Sequence, residues 1–224
     1  MRKGDTINIL DYMDRVQVPP CTLVSVAHLL DLRESTYRGF TELEKDKGFL
    51  TPTARFSMPR GQEMIRILLF RCFEELTETQ DKVLDPMHFL EEVIDALNYA
   101  WALCVLDPSE CPKAPFVHAL HAELSAIPDG TMAPNLESLT EMQGRSRALI
   151  TTLFLAATDL LALLRNRAWQ HQAQSLYWDG FPMLVEFEKT VTRELASFFL
   201  SWEHFYKFYV AKDMVLQFRI KSKY

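Results

Sequence analysis

Apolar side chains recur at every third or fourth position through most of this chain, and that spacing places them on one face of an α-helix. No segment alternates apolar and polar residues as a half-buried strand would. We therefore predict an all-α helical bundle. Thr6, Asp85 and Asn135 are expected to cap three of its helices. The helices are predicted at 6–16, 22–44, 62–80, 85–106, 116–126, 135–170 and 183–220.

Turn-forming residues mark the segments between these helices. Pro19 and Pro20 end the first helix, and Asp85 followed by Pro86 is typical of a helix start. Connecting segments are predicted at 46–61, 107–135 and 171–182. The first of them is long enough to act as a lid over a site. All of these elements are assigned to one domain spanning 1–224.

Composition narrows the class of function. The chain has only 7 glycines in 224 residues, and neither GxGxxG nor GxxxxGK[ST] occurs, which excludes phosphate binding by those glycine loops. The net charge is -6 and no block of five basic residues is present, so we expect no nucleic-acid binding. The 4 cysteines lack CxxC spacing, which favours buried, reduced thiols in a cytoplasmic protein.

The most apolar window, 148–164, is predicted to be a core helix and not a membrane span. Asp159 lies inside this window, and arginines flank both of its ends. A charge near the middle of a bilayer costs about 2.5–3.5 kcal/mol on insertion scales. We therefore expect no membrane partner.

Paired carboxylates on two successive helices are the strongest chemical signal in the sequence. Glu75 and Glu78 are three residues apart and so share a helix face, and Glu92 and Asp95 repeat the arrangement. Asn98 extends the second face by three residues. The short separation of the two pairs predicts an αα-hairpin that sets them side by side.

Four carboxylates that face one another repel strongly unless a divalent cation neutralises them. Oxygen-only ligands suit Mg²⁺, with Mn²⁺ as the alternative. A solvated acidic face is the competing interpretation, but the second pair is surrounded by apolar residues, including Val93 and Ile94. The residues alone leave both interpretations open, the solvated face and a four-carboxylate metal site between two antiparallel helices. At such a site a metal would polarise a phosphoryl oxygen and activate water.

The last helix offers a basic face. Tyr209, Lys212, Leu216 and Arg219 recur at helical spacing, so the lysine and the arginine share one side. These cations would counter triphosphate charge. The alternative is a simple effect on the helix dipole, because cations near a helix C-terminus stabilise it by about 0.3–1 kcal/mol without any ligand.

The pattern Glu75-x-x-Glu78 followed by Glu92-x-x-Asp95 resembles the signature of the all-α nucleoside triphosphate pyrophosphohydrolases, the MazG-like proteins and dimeric dUTPases. The resemblance implies that these four residues bind Mg²⁺ and that Glu75 and Glu92 serve catalysis. It also implies that water attacks the α–β linkage of a nucleoside triphosphate. The products would be the nucleoside monophosphate and pyrophosphate.

The stretch from Phe205 to Arg219 looks like the late helix of dimeric dUTPases and phage dCTP/dUTP pyrophosphatases, since Tyr209, Lys212 and Arg219 match its pattern. The resemblance implies that these three residues bind substrate, and Asn98 would contact the sugar or orient a carboxylate. It further implies a homodimer or a higher homo-oligomer.

Two departures from the family pattern leave a second function open. Leu216 stands where the family has asparagine, and Asp213 stands where asparagine or histidine is usual. These changes motivate an alternative, a catalytically altered member that acts as a nucleotide-binding or protein-interaction module. The base-contacting glutamine of dUTPases has no clear counterpart, so a modified nucleotide is also open as substrate.

Overall fold

The computed structural model describes residues 8–46, 58–81, 84–105, 113–128, 138–163 and 173–222. Within these residues the chain forms helices and no strand, which confirms the all-α class. The helices are α1 Leu10–Met13, α2 Leu23–Asp46, α3 Met58–Asp81, α4 Pro86–Ala102, α5 Lys113–Leu124, α6 Leu139–Leu163, α7 Ala173–Ala196 and α8 Trp202–Lys221. A short 3₁₀ segment, Leu103–Val105, follows α4. Among these described helices, none combines the length and apolarity that crossing a bilayer requires.

Helix α4 lies at the centre of the fold and packs against α2, α3, α7 and α8. Its Trp101 is fully buried, and the indole N–H donates a hydrogen bond of 2.9 Å to the hydroxyl of Thr192 on α7. Removing a side chain of this kind from water stabilises the fold by about 1.5–3 kcal/mol. Because α4 is surrounded, any polar residue on it must find a partner or reach the solvent edge.

Helices α2 and α8 approach each other closely. A Cβ atom at Gly39 would lie 3.1 Å from the Ile220 side chain, so the glycine permits this contact. The hydroxyl of Thr36 donates a hydrogen bond to Asp213, and the Gln217 side chain donates one of 2.8 Å to Thr36. These contacts fix α8, and with it the predicted basic face, against the early part of the chain.

One carboxyl group is buried in the core with no counter-charge described beside it. Glu188 of α7 is fully buried, and burial raises its pKa well above the ordinary value. The Cys104 thiol offsets this rise only in part, and neither carboxyl oxygen has a hydrogen bond of normal geometry within the described residues. Burial therefore favours the neutral form of this group.

Several predicted boundaries are wrong by a few residues. Helix α3 begins at Met58, so the end of the predicted lid segment 46–61 is helical, whereas 47–57 lie outside the described residues. Helix α6 begins after Ser138, not at Asn135. Ser138 and Glu141 form a capping box, in which the glutamate accepts a 2.7 Å hydrogen bond from the Ser138 N–H. Thr6, Asn135 and the ends of the predicted segment 107–135, namely 107–112 and 129–135, lie outside the described residues, whereas its middle forms α5.

Two errors concern the last third of the chain. The predicted connecting segment 171–182 is helical from Ala173 onward, because α7 continues through Pro182. A proline removes one backbone donor, and the surrounding helix tolerates that loss. The predicted single helix 183–220 is two helices. Buried Phe198 and Phe199 occupy the break, and the Ser201 hydroxyl caps α8.

The cysteine prediction is correct in part. Cys21, Cys72 and Cys104 are free thiols, and the last two are buried. Cys21 is half-exposed, contrary to the expectation that all four are buried. Cys111 lies outside the described residues.

Candidate metal centre

The two carboxylate pairs meet because α3 and α4 form a hairpin. The connection is short, and it ends at Asp85, whose side chain accepts a 2.8 Å hydrogen bond from the His88 N–H to cap α4. Glu75, Glu92 and Asp95 each bring one carboxylate oxygen within 4.8 Å of the others. All three side chains are half-buried. The predicted apposition of the two acidic faces is therefore present for these three residues.

Glu75 and Glu92 lie close enough to change each other's pKa values, and they do so in opposite directions. Burial raises the pKa of Glu75 to about 8, and the neighbouring charges of Asp95 and Glu92 contribute to the rise. Burial and the charge of Asp95 also raise the pKa of Glu92, whereas the hydrogen bond from Glu75 lowers it. The pair titrates as a unit. At neutral pH the centre therefore holds a proton that a cation would have to displace.

Glu78 and Asn98 lie at the edge of this group. Glu78 is half-buried, and its charge raises the pKa values of both Glu75 and Glu92, so it is a near neighbour. Its oxygens are not among those within 4.8 Å. Asn98 is buried one turn beyond Asp95 on α4. Three of the four predicted ligands thus come together, with the fourth beside them.

Lys212 of α8 reaches the centre from the far end of the chain. Its ammonium group lies 2.9 Å from an Asp95 oxygen and 3.0 Å from a Glu91 oxygen. Burial alone would lower the pKa of Lys212, but the two carboxylates raise it by more, so the pKa lies above the ordinary value. The side chain is almost completely buried and remains charged. The sequence predicts that Lys212 binds phosphate, and in the structure its ammonium group pairs with carboxylates.

The other predicted substrate residues differ in position. Tyr209 is buried with its ring 5.1 Å from that of Trp101, and its hydroxyl has no hydrogen-bond partner within the described residues. Arg219 is exposed in the last turn of α8, about 10 Å along the axis from Lys212. Leu216 is buried. The structure therefore brings only Lys212 of this group into contact with the acidic residues.

Arg33 is a buried cation of α2, and the sequence offers it, with His28, in place of the base-contacting glutamine of dUTPases. It is only 4% exposed, and its Nε atom has no hydrogen-bond partner within the described residues. Its charge acts on the pKa of Tyr99, as does that of Glu75, which places Tyr99 between the arginine and the acidic centre. The sequence indicates that Arg33 is buried, because it follows Leu29 and Leu30 at helical spacing on the apolar stripe of α2.

Two further glutamates adjoin the acidic centre in sequence, Glu74 beside Glu75 on α3 and Glu91 beside Glu92 on α4. Glu91 pairs with Lys212, as described above. Glu74 forms an ion pair with Arg71 on the outer side of α3. Of the two, only Glu91 is therefore adjacent to the centre.

The chemistry of the centre suits a hard divalent cation. Carboxylate oxygens from three residues converge, and burial, together with the neighbouring charge of Asp95, retains a proton on Glu75 at neutral pH. No family model, curated protein or solved structure matches this chain. Only the geometry and charge of the described residues therefore bear on the function.

Proposed function

We propose that this protein hydrolyses a nucleoside or deoxynucleoside triphosphate to the monophosphate and pyrophosphate with Mg²⁺ as cofactor. The observation that carries the proposal is the convergence of Glu75, Glu92 and Asp95 on one point with the buried cation Lys212 beside them. A centre for phosphoryl chemistry needs both a divalent cation and a fixed positive charge for phosphate.

In the proposed reaction, Glu75, Glu92 and Asp95 would hold the metal, and Glu78 would complete the set. Mg²⁺, or Mn²⁺ in its place, would supply Lewis-acid polarisation and lower the pKa of a bound water. Glu75 would first release its proton. The oxygen of the attacking water would bond to the α-phosphorus as a neighbouring carboxylate accepts its proton. The bond from the α-phosphorus to the bridging oxygen would break, so that the monophosphate forms and pyrophosphate leaves.

Lys212 would exchange partners in this scheme. Its ammonium group pairs with Asp95 and Glu91 in the structure. Once a metal neutralises Asp95, the lysine is released to donate hydrogen bonds to phosphate oxygens. Arg219 would bind the distal phosphates only if the substrate extends along α8. Asn98 and Tyr209, both buried next to these residues, would line the sugar side. Such an enzyme would act in the cytoplasm.

The test is a scan of purified protein against ordinary and modified nucleoside triphosphates with Mg²⁺ or Mn²⁺. We expect pyrophosphate release from at least one nucleotide, and a loss of at least about 100-fold in Glu92→Gln and Asp95→Asn. Glu186→Gln is the matched control, because Glu186 is exposed on α7 and pairs only with Lys189 among its described contacts. Full activity in Glu92→Gln would refute the site assignment.

A second candidate function is nucleotide or protein binding without turnover. Two observations favour it: Leu216 is buried where an amide would be needed, and Asp213 is engaged by Thr36. Thermal unfolding with Mg²⁺ and nucleotides distinguishes the two functions. Stabilisation by both ligands without product formation supports binding alone, whereas product formation supports the enzyme.

A further inference from the structure

Cys21, Ser125 and His121 bring a thiol, a hydroxyl and an imidazole together where the start of α2 meets the end of α5. The Cys21 sulfur lies 3.6 Å from the Ser125 Oγ atom, and that oxygen lies 3.3 Å from the His121 Nε2 atom. Cys21 and His121 are half-exposed and Ser125 is exposed, so small solutes can reach the group. The three side chains thus form a continuous hydrogen-bond path from the thiol to the imidazole.

Trp202 of α8 holds both segments that carry this path. Its indole N–H donates a hydrogen bond of 2.8 Å to the Pro19 carbonyl, two residues before Cys21. Its backbone N–H donates one of 3.2 Å to the Pro128 carbonyl, three residues after Ser125. Trp202 is itself buried. The two segments are therefore anchored to one core residue, which fixes the thiol beside the hydroxyl.

The ends of two helices favour a separation of charge along the path. Cys21 lies two residues before Leu23, where the 24-residue helix α2 begins, and a helix N-terminus favours a thiolate. His121 lies in the last turn of α5, where the helix dipole favours a protonated imidazole. A proton can pass from Cys21 to Ser125 while the hydroxyl proton of Ser125 passes to His121. The thiolate then accepts a hydrogen bond from Ser125, and the imidazolium donates one to it.

The other described cysteines have a different environment. Cys72 and Cys104 are buried, and burial raises the pKa of the Cys72 thiol, which disfavours its thiolate. The thiolate is the form of cysteine that attacks electrophiles. Among the cysteines that the structure describes, Cys21 is therefore the one that combines access for a solute with groups that favour the reactive form.

We propose that Cys21 is a modification site, a reactive thiol that hydroperoxides oxidise. The thiolate attacks one oxygen of hydrogen peroxide, a sulfur–oxygen bond forms and the O–O bond breaks. The sulfur is oxidised by two electrons to a sulfenic acid, and the peroxide is reduced. Hydroxide is a poor leaving group, and it becomes water by taking the proton of His121 through Ser125. The proposal is independent of nucleotide hydrolysis, because none of these residues belongs to the acidic centre.

The first test locates sulfenic acid on the full chain. The protein is treated with hydrogen peroxide at pH 7, the product is trapped with dimedone, and peptide mass spectrometry identifies the modified cysteine. We expect Cys21 to react at least about tenfold faster than Cys72 and Cys104, because its thiolate is favoured and accessible. A rate at Cys21 that does not exceed the rate at the two buried thiols would overturn the proposal.

The second test removes the path one group at a time. Ser125→Ala and His121→Gln should each slow the oxidation of Cys21 by at least about tenfold at pH 7, because the thiol loses its proton acceptor. His118→Gln is the matched control, since His118 is exposed one turn earlier on α5, and it should leave the rate unchanged. Circular dichroism checks that each variant is folded. Equal rates in Ser125→Ala and His118→Gln would refute the role of the path.

The third test is the pH dependence of alkylation by iodoacetamide, which a merely structural role of Ser125 would not change. An ordinary cysteine, with a pKa of about 8.5, loses about 25-fold of its thiolate between pH 9 and pH 7. The alkylation rate of Cys21 should fall by less than about fivefold over this range in wild type, and by about 25-fold in Ser125→Ala. A 25-fold fall in wild type would overturn the proposal without reference to any variant.

Discussion

The acidic centre between α3 and α4 can be compared with a single buried carboxyl elsewhere in the described residues, that of Glu188 in α7. The centre is half-buried, holds a proton and has Lys212 as a partner. Glu188 is fully buried with no charged partner described beside it, so its neutral form is favoured. Burial of a single carboxyl favours its uncharged form. Several half-buried carboxyls around one lysine retain negative charge, which is the property that a cation-binding site needs.

The largest effect is expected from removing the lysine. Lys212→Met leaves Asp95 and Glu91 without their counter-charge, and breaking a buried pair in this way should cost about 3–5 kcal/mol in the free energy of unfolding. Urea unfolding measures it. Lys207→Met is the control, because Lys207 pairs with Glu203 at the surface, and its loss should stay within about 0.5 kcal/mol. Equal losses of unfolding free energy in the two variants would show that the buried ion pairs of Lys212 contribute no more than a surface pair.

A smaller effect of the opposite sign is expected in the core. Glu188→Met removes a buried polar group without hydrogen bonds and should stabilise the protein by about 1–3 kcal/mol. The pKa of Glu188 is higher in the folded than in the unfolded chain, so wild-type stability falls as pH rises above the ordinary glutamate pKa of 4.5. The variant should lose part of this pH dependence when unfolding is measured from pH 5 to 9. Destabilisation at every pH would contradict the interpretation.

Metal binding at the acidic centre should depend on pH. The pKa of Glu75 is raised to about 8, so a cation must displace its proton at neutral pH. As pH increases toward 8, Mg²⁺ affinity should therefore increase by about tenfold per pH unit. Above pH 8 the affinity should level off. Calorimetry in buffers of different ionisation enthalpy would detect the released proton. Binding independent of pH, or unchanged in Asp95→Asn, would place the metal elsewhere.

The smallest effect is expected for Glu75→Gln without metal. The pKa of Glu75 rises from 4.5 unfolded to about 8 folded, so its ionisation destabilises the fold progressively as pH rises through that window. Glutamine removes this effect and should stabilise the metal-free protein by about 1 kcal/mol at pH 8, a value reduced for solvent screening. The same variant should lose stabilisation by Mg²⁺. A Tm below that of wild type at pH 8 would contradict the prediction.

The acidic hairpin was predictable because its signals are local. Three-residue spacing sets each carboxylate pair on one face, and Asp85 with Pro86 marks where α4 begins. The contact of Lys212 with Asp95 was not predicted, because it depends on how α8 packs against α4. Sequence reasoning proposed only that the lysine binds phosphate. The metal, the substrate and the reaction stay predictions.

The parts that sequence reasoning missed depend on tertiary packing. A turn was predicted before Pro182, but packing keeps α7 helical there. The break before Ser201 was hidden because apolar residues continue through it. Glu188 could have been found, because it lies four residues after Leu184 and three before Val191, on the buried stripe of α7. A charged residue at such a position indicates a buried acid.

Lys212 is far from its partners along the sequence, and this has a consequence during synthesis. The ion pair joins residues 121 positions apart, whereas the carboxylates of the hairpin are close in sequence. At about 5–20 residues per second, Glu91 is added to the growing chain about 6–24 s before Lys212. Throughout that interval the nascent hairpin must satisfy its carboxylates with protons or with cations from solution. The order in which the chain is made thus exposes the acidic centre to ions before its own lysine can reach it.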